Sequence, residues 1–368
     1  MIDRDELAAW LRLIETPKVG RESARRLLTR FGSPQAVFEA STAARCEAAG
    51  STASVALATE HDSLAALVDA TLGWLSADSP EPRAVITLGD ATYPRALLET
   101  ADPPLLLYTQ GRAELLQAEA VAVVGSRNPT PQGTDNARAF SAHLSRAGLT
   151  VISGLALGID AAAHEGGLEG AASTVAVVGT GLDRVYPRAN LVLAHRIAKQ
   201  GLMLSEYALG TPPLAPNFPI RNRIIAGLSR GTLVVEAALQ SGSLITARLA
   251  IEAGRDVFAI PGSIHSPQAR GCHALIKQGA KLVDSAQDIL EELRLPGVGA
   301  PAANKKAAPG SAEDPLLAAL GFDPVTLDAL VSRTGWPASE LNPRLLDLEL
   351  DGRIARLPGQ LFQRVARS

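Results

Sequence analysis

The spacing of apolar residues changes twice along the chain and divides it into three parts. Up to residue 60, apolar residues recur at helical spacing, as in LAAWLRLIETPKVG and RESARRLLTRFGS, which predicts short helices. From residue 83 to about 293, continuous apolar runs alternate with longer amphipathic stretches. Such runs are typical of strands covered on both faces. The pattern therefore predicts an α/β domain with an open, mostly parallel sheet.

Nine short apolar runs are the candidate strands of this sheet. The segments between AVAVVG and LTVISG, and between TLVVEA and DVFAIPG, are long enough for crossover helices. The predicted strands are AVITL, PLLLYT, AVAVVG, LTVISG, STVAVVGTG, LMLSEY, TLVVEA, DVFAIPG and AKLVD.

A Pro/Gly/Ala-rich segment follows the sheet region and predicts a linker. Beyond it, three helical patterns and two strand-like pieces joined at Pro358-Gly359 predict a small winged helix. We therefore expect a helical domain at 1–65, the sheet domain at 66–294, a linker at 295–312 and a winged helix at 313–368.

Composition narrows the possible functions. The formal net charge is -3 and the pI about 6.1, so any nucleic-acid binding must depend on a local basic patch. Two distant cysteines, Cys46 and Cys272, favour neither a disulfide framework nor a thiolate metal site. The start, MIDRDELAAWLRL, has charges where a signal peptide needs an apolar core, so we expect no signal peptide, and no run approaches the ~20 apolar residues of a membrane span. We expect a cytoplasmic protein with no membrane association, no metal and no cofactor.

The first strand-to-helix loop of interest lies in AVAVVGSRNPTPQG, where Gly125, Ser126 and Arg127 follow a buried strand. No acid occurs from Val121 to Thr134. Open α/β sheets bind ligands at the carboxyl ends of their strands, and free N–H groups at a helix start suit phosphate. The loop is not G-x-G-x-x-G, which disfavours a dinucleotide site. A glycine turn with a solvated arginine is the alternative interpretation.

Other strand ends have the same design. Gly154 follows the next strand, and Asp160 and His164 then share a helix face, as an acid/base pair or, more simply, as structural groups. Arg184 and Arg188 follow a third strand, where they either face phosphates or are ordinary surface charges. The small residues Ser241, Gly242 and Ser243 follow a later strand and allow close approach to a ligand.

The stretch NFPIRNRIIAGLSRG holds three arginines, and no acid occurs between Glu206 and Glu236. Arg221 and Arg223 lie in the first turn of a predicted helix, where each cation costs ~0.3–1 kcal/mol against the helix dipole. An anion bound at the helix end would offset that cost. Glu206 is the alternative partner for one of the two arginines.

The end domains allow two interpretations each. TPKVGRESARRLLTRFG is similar to a helix–hairpin–helix, which either holds a DNA backbone or forms the solvated face of a protein-interaction module. From Glu313 onward there are eight acids and six arginines. An acidic winged helix favours partner binding or regulation over reading of a DNA groove.

Taken in order, the motifs GSRNPTPQG, SGLALGIDAAAH, GTGLDRVYP, SEYALGTPP, FPIRNRIIAGLS, VVEAALQSGSLITARLAIEAGRDVFAIPG and GCHALIKQGAKLV resemble the bacterial DNA-processing protein A family (DprA, also called Smf). The resemblance covers residues ~83–293 densely, and the flanking parts match the family's three-part layout. It implies a Rossmann-like core with an N-terminal helix-hairpin-helix or SAM-like domain and a C-terminal winged helix.

The resemblance also implies a function. It predicts a homodimeric, non-catalytic protein that binds single-stranded DNA, and duplex DNA more weakly, without sequence preference. Such a protein protects incoming strands in natural transformation and loads the recombinase RecA onto them. The implied DNA-binding residues, with small loop residues and the weaker candidate Lys277 included, are Gly125, Ser126, Arg127, Gly154, Phe218, Arg221, Asn222, Arg223, Ser241, Gly242 and Lys277.

Two other functions remain open at this stage. GTLVVEA also resembles nucleotide-processing phosphoribohydrolases, although the stretch Ser229-Arg230-Gly231-Thr232 lacks the paired glycines of their loop. That interpretation leaves Glu236 as the lone candidate base. The third possibility is a regulatory adaptor that binds protein alone, for which Arg127 and Arg221 would not affect oligonucleotide affinity.

Overall fold

The computed structural model describes residues 2–294, 314–321 and 324–365. Its N-terminal part is helical, as the apolar spacing predicts. Side-chain caps from Asp3, Ser33 and Ser41 start three of these helices by accepting a backbone N–H. The helices are α1 (Arg4–Glu15), α2 (Arg21–Phe31), α3 (Pro34–Glu39), α4 (Thr42–Ala49), α5 (Ser51–Ala56) and α6 (Leu64–Ser76).

All nine predicted strands occur, and they form one sheet. They are β1 (Arg83–Thr87), β2 (Leu106–Gly111), β3 (Ala120–Val124), β4 (Thr150–Ser153), β5 (Thr174–Val177), β6 (Leu202–Ser205), β7 (Gly231–Val234), β8 (Asp256–Ala259) and β9 (Lys281–Leu282). Their spatial order is β1-β2-β6-β5-β4-β3-β7-β8-β9. β2 runs antiparallel to β1 and β6, and every other neighbouring pair is parallel. The predicted mostly parallel α/β core is confirmed.

Helices cover both faces of the sheet. Alternate residues of β3 show this: Val121 and Val123 belong to one apolar cluster, Ala122 and Val124 to the other. Both faces are therefore dry, which explains the continuous apolar runs in the sequence. The helices are α7 (Arg95–Leu98), α8 (Pro131–Arg146), α9 (Ile159–Gly167), α10 (Leu191–Gln200), α11 (Asn217–Leu228), α12 (Ser243–Glu252), α13 (Arg270–Lys277) and α14 (Ala286–Leu293).

The N-terminal helices pack on the sheet domain. Leu105, Leu106 and Tyr108, at and before β2, share an apolar cluster with residues of α1, α2 and α6. Helix α6 (Leu64–Ser76) runs through residue 65, where the sequence predicts the end of the first domain. The position of that boundary stays a prediction. The predicted linker, 295–312, lies outside the described residues.

The C-terminal part is the predicted winged helix. Its elements are α15 (Pro315–Leu320), β10 (Val325–Thr326), α16 (Leu327–Thr334), α17 (Ala338–Leu350), β11 (Ile354–Leu357) and β12 (Leu361–Arg364). β12 pairs with both β10 and β11, and a small leucine-rich core lies beneath the helices. Over the described ranges of the whole chain, no helix has the length and apolar character needed to cross a membrane.

Candidate nucleic-acid interface

A cavity of about 520 Å³ opens at the carboxyl ends of the central strands. After β3 the sheet grows to one side through β4, β5 and β6, and the chain then returns to place β7 on the other side. The direction in which strands are added thus reverses at β3, between β4 and β7. Open α/β sheets bind ligands at such a topological switch point. Eight of the predicted site residues line this cavity: Gly125, Ser126, Arg127, Phe218, Arg221, Asn222, Ser241 and Gly242.

The loop after β3 is held rigidly. The backbone N–H of Ser126 donates to the carbonyl of Glu236 at 2.7 Å, and the Ser126 carbonyl accepts from the N–H of Ile159 at 3.1 Å. Gly125 has no room for a side chain, because a Cβ would lie 2.7 Å from Ile159 Cγ1 and 2.9 Å from the Glu236 carbonyl. These contacts fix the position from which Arg127 projects.

Arg127 is exposed at the rim of the cavity. Its guanidinium makes no hydrogen bond and no ion pair with any residue that the structure describes. A guanidinium presents five N–H donors in a planar fork that matches a phosphate group. Arg127 is therefore preorganised at its backbone and free at its donors, which is the condition for binding an anion from solvent.

Arg221 occupies a different position, in the floor of the cavity. Its side chain is buried, and Nη1 donates to the carbonyls of Gly154, at 2.7 Å, and Val177. Burial lowers the pKa of Arg221 to about 10, so the group stays charged at neutral pH. Gly154 is required here, because a Cβ at that position would lie 2.6 Å from both terminal nitrogens. Gly154 thus supports the cavity through Arg221, although it does not line it.

Arg223 lies outside the cavity, contrary to the prediction that it shares the site with Arg221. Its Nε donates to Asp102 at 2.8 Å and its Nη2 to Glu206 at 2.5 Å. Residues two positions apart in an α-helix point about 200° apart around its axis, so Arg221 and Arg223 face opposite sides of α11. The alternative with Glu206 as a structural partner is the one realised for Arg223. This geometry gives Arg223 a structural role, because Nε and Nη2 bind carboxylates and Nη1 is buried without a hydrogen-bond partner.

The carboxylate of Asp102 joins two further arginines to Arg223. Arg21 donates from Nε at 2.9 Å, and Arg25 donates from Nη1. Burial raises the pKa of Asp102, but the three guanidiniums outweigh it and hold that pKa well below its usual range. We call Arg21, Arg25, Arg223, Asp102 and Glu206 the junction cluster. It connects α2 of the N-terminal domain to α11 of the sheet domain.

Lys277 also lies outside the cavity. It is exposed at the last residue of α13, and it makes no ion pair within the described part of the chain. Other residues of α13, Ala274 and Leu275, line a neighbouring groove that shares Ser241 with the cavity. The sequence alone does not indicate on which side of this groove Lys277 lies.

Asp160 and His164 stabilise the loop after β4. The Asp160 carboxylate accepts from the N–H groups of Gly154 at 3.1 Å and Ala156 at 3.3 Å. His164 is fully buried, with Nε2 accepting from Leu155 N–H at 3.3 Å and Nδ1 bonded to Thr174 Oγ1 at 2.7 Å. Burial and the nearby Arg221 lower the pKa of His164 to about 3, which keeps the ring neutral.

This hydrogen-bond pattern has a structural purpose. Thr174 Oγ1 donates to the Val151 carbonyl, so His164 Nδ1 carries the proton toward Thr174 and Nε2 is the acceptor. Both ring nitrogens are then used. Leu155 itself has a left-handed backbone, φ +59°, and this bond holds it. The geometry favours the structural interpretation of this pair over acid/base chemistry.

Glu236, the candidate base of the enzyme interpretation, is also engaged. It accepts from the N–H of Thr130 at 2.9 Å and from Thr130 Oγ1 at 2.5 Å. Thr130 is the N-cap of α8, so Glu236 supports the start of that helix. Burial raises the pKa of Glu236. The carboxylate lies behind the cavity and is not among the residues that line it.

Several cavity residues were missed from the sequence. Asn128, Gln240, Ser243 and Gln268 line the cavity with neutral polar side chains. Ser243 is part of the turn noted above, so its position carried a usable signal. Gln268 lies in a short 3₁₀ helix (Pro267–Ala269) between β8 and α13, and nothing in its local sequence connects it to the loop after β3.

Comparisons with known proteins agree with this geometry. The family described as DNA recombination-mediator protein A matches residues 84–294, a DprA-like N-terminal HHH domain matches 4–65, and a DprA winged helix domain matches 300–360. Protein Smf of Escherichia coli is 43% identical over 300 residues, which cover 79% of this chain and 79% of that protein. DNA processing protein DprA of Streptococcus pneumoniae is 52% identical over 203 residues, or 55% of this chain and 72% of the relative.

Two solved structures are also similar. That of DNA processing protein A from Streptococcus pneumoniae has a TM-score of 0.67 at 39% identity, covering 79% of this chain and 98% of the other. The second, described as revealing a single-stranded DNA binding mode of DNA processing protein A from Helicobacter pylori, has a TM-score of 0.52 at 32% identity. It covers 57% of this chain and 95% of the other.

Proposed function

The chain belongs to the DNA recombination-mediator protein A family, and from that premise we propose that it binds single-stranded DNA in the cavity at the switch point of its sheet. The strand is held by phosphate contacts that do not depend on sequence. The relative whose structure is described with a single-stranded DNA binding mode supports this substrate. Recombination mediation is the family's role, and the cavity is where this chain would carry it out.

The observation that carries the proposal is the difference between Arg127 and Arg221 within one cavity. Arg221 supplies a fixed positive charge in the floor, with its Nη1 already used by two backbone carbonyls. Arg127 supplies an unused donor fork at the rim. A phosphate entering the cavity would meet both charges, and it would displace no internal ion pair of Arg127. Asp160 is the one carboxylate among the lining residues. Its Oδ2 accepts two backbone N–H bonds, and its charge interacts with those of Arg221 and, more weakly, Arg127.

Bases would be contacted by neutral groups. Phe218 lines the cavity and offers a ring face, and stacking of one base on an aromatic ring contributes ~1–3 kcal/mol. Asn222 lies beside it with an amide that makes no hydrogen bond to the described residues. A duplex keeps its bases stacked on each other, so we propose that it binds more weakly than a single strand.

We propose three further properties that rest on family membership. The protein acts as a homodimer, it delivers the strand to RecA, and it does so without catalysis, in the setting of natural transformation. The exposed side chains of Leu239 and Ile251, at the groove next to the cavity, offer apolar surface suited to a protein partner. The internal bonds of Glu236 and His164 support a role without general acid/base chemistry.

The test measures binding of a labelled oligo-dT at several salt concentrations, for the unmodified protein, Arg127→Ala and Phe218→Ala. Arg127→Ala should weaken binding about tenfold and reduce the salt slope by about 0.7, the value for one phosphate contact on a single strand. Phe218→Ala should weaken binding without changing the slope, because stacking releases no counterions. Arg95→Ala, an exposed arginine away from the cavity, is the matched control.

Each competing function predicts another result. A protein-only adaptor predicts that no variant changes oligonucleotide binding. A phosphoribohydrolase predicts release of free base from nucleoside monophosphates by the unmodified protein. Equal affinity of Arg127→Ala and Arg95→Ala would contradict the proposed site.

A further inference from the structure

An aromatic contact leads out of the cavity on the side of the loop after β5. The ring of Tyr186 lies 5.5 Å from that of Phe218, centroid to centroid, with a tilt of 37°. Phe218 lines the cavity, whereas Tyr186 does not line it and is 49% exposed. Two neighbouring rings, one inside the cavity and one outside it, form a step that points from the site toward the surface.

The segment from Arg184 to Lys199, which includes Tyr186, is basic. No Asp or Glu occurs between Asp183 and Glu206, whereas Arg184, Arg188, Arg196 and Lys199 do. Arg188 precedes α10, and along α10 the exposed residues Val192, His195, Arg196 and Lys199 follow at helical spacing. Val192, His195, Arg196 and Lys199 share one face of α10, and Arg188 lies just before this helix, at the start of a short 3₁₀ turn (Arg188–Asn190). We call Arg188, Arg196 and Lys199 the α10 stripe.

The α10 stripe is free to bind an anion. None of its three cations forms an ion pair with a described residue. Asp183, the nearest acid along the chain, accepts from Gly210 N–H at 2.8 Å and lies 3.7 Å from Arg184. The stripe therefore resembles Arg127 and differs from the junction cluster, where carboxylates use the arginine donors.

The loop is anchored to the wall of the cavity at both ends of the segment from Tyr186 to Asn190. Asn190 is buried, and its Nδ2 donates to the carbonyls of Leu155 at 2.9 Å and Ala156 at 3.1 Å. Ala156 lines the cavity. Arg188 lies between these two attachment points. Its position beside the cavity is thus fixed by side chains that contact the cavity wall, and does not depend on a free loop.

We propose that the α10 stripe and Tyr186 form an extension of the site, along which the same single strand continues after it leaves the cavity. Tyr186 stacks the base that follows the one on Phe218, and Arg188, Arg196 and Lys199 in turn neutralise the next phosphates. This extension rests on the proposed function. A single strand fits better than an acidic protein segment, because the surface starts with a stacking pair that continues from a nucleotide-sized cavity.

The experiment compares two oligonucleotides, one of about 4 and one of about 16 nucleotides, which span the site sizes usual for such surfaces. The variants are Tyr186→Ala and the double variant Arg188→Ala/Arg196→Ala. Each should weaken binding of the long strand at least about fivefold, while binding of the short strand is unchanged. The double variant should also lower the salt slope for the long strand by about 1.4, two phosphates at about 0.7 each.

Two controls keep the result interpretable. Tyr186→Phe retains the ring and should bind the long strand like the unmodified protein. Arg95→Ala/Arg146→Ala removes two arginines elsewhere on the surface and should change neither length.

The other outcomes overturn the extension. Equal binding of both lengths by all variants would leave the proposed function intact and assign the stripe to another partner, such as an acidic protein. Equal weakening of both lengths would mean that Tyr186 acts only through Phe218, with no separate surface. If the unmodified protein bound neither strand, the proposed function itself would fail.

Discussion

Arginines gather in two regions of this molecule, and the regions differ in what the guanidiniums contact. In the junction cluster, three arginines converge on Asp102, and Arg223 also binds Glu206. At the cavity rim, Arg127 makes no hydrogen bond or ion pair with the residues described. The first region uses its charges to join two domains, and the second keeps its charge available. The number of arginines in a segment therefore says little about binding until their carboxylates are located.

The largest effect that would break this comparison is expected in the junction cluster. Asp102→Ala leaves three guanidiniums close together without their shared partner. Removing one member of a buried pair costs about 3–5 kcal/mol, and we expect about 3 kcal/mol because Asp102 is partly exposed. Urea unfolding at neutral pH measures this loss. Asp69→Ala, which breaks an exposed pair with Arg4, should cost less than about 1 kcal/mol.

The same cluster also predicts how stability changes at acid pH. The pKa of Asp102 is held below its usual range, so its ion pairs stabilise the fold above the unfolded pKa and lose that effect as pH falls. A stability of Asp102→Ala equal to that of Asp69→Ala at neutral pH would show that the cluster does not stabilise the junction. The salt slope of oligonucleotide binding by Asp102→Ala should remain that of the unmodified protein.

Much of the fold was predictable, and the reasons are physical. A strand buried on both faces must be apolar throughout, which made the central runs, such as β3 to β7, visible in the sequence. The outer strands β1 and β9 are more exposed. Gly125, after β3, stands out in the sequence, and the structure explains it, because the loop has no space for a side chain there. Arg221 and Arg223 were both expected in the first turn of a helix, but α11 begins at Asn217, and positions two apart in a helix point in nearly opposite directions. Asp102, the partner of Arg223, lies 121 residues away, and no local pattern connects them.

A second, smaller effect is expected from Arg221 in the cavity floor. Arg221→Ala removes two hydrogen bonds to the carbonyls of Gly154 and Val177 and leaves both buried acceptors unpaired. Each unpaired buried group costs about 1–3 kcal/mol, and partial relaxation suggests about 2–3 kcal/mol in total. Denaturant unfolding gives the value. Arg146→Ala, an exposed arginine paired with Glu169, should stay within about 0.5 kcal/mol of the unmodified protein.

The outcome for Arg221 separates two roles. A stable Arg221→Ala variant with weakened oligonucleotide binding would make Arg221 a direct ligand of phosphate, like Arg127. Loss of stability, with binding of the remaining folded protein weakened in proportion, fits a group that holds the floor in place.

A third effect, about 2 kcal/mol, is expected from pH. The pKa of His164 is about 3 in the fold, below its ordinary value near 6.5 in the unfolded chain. The unfolded state therefore binds more protons, and stability falls as pH drops below 6.5, by up to about 1.4 kcal/mol per pH unit. Between pH 7.5 and pH 5, His164→Gln should lose about 2 kcal/mol less than the unmodified protein. His195→Gln, at an exposed site, should follow the unmodified curve.

The burial of Asp160 and Glu206 raises their pKa values, which works in the opposite direction, so the difference between variants is the quantity to measure. Parallel curves for His164→Gln and the unmodified protein would contradict a neutral, hydrogen-bonded His164.

The smallest effect on stability is expected at Arg127, and it sharpens the comparison most. Arg127→Ala removes an exposed side chain without internal partners, so the free energy of unfolding should change by less than about 0.5 kcal/mol. The same variant should lose about tenfold in affinity for a single strand. Asp102→Ala should show the reverse, a large loss of stability with the salt slope of binding retained. Both kinds of variant must be measured in both assays, because a shared loss of stability and affinity would mean that the two arginine regions do not differ as their contacts indicate.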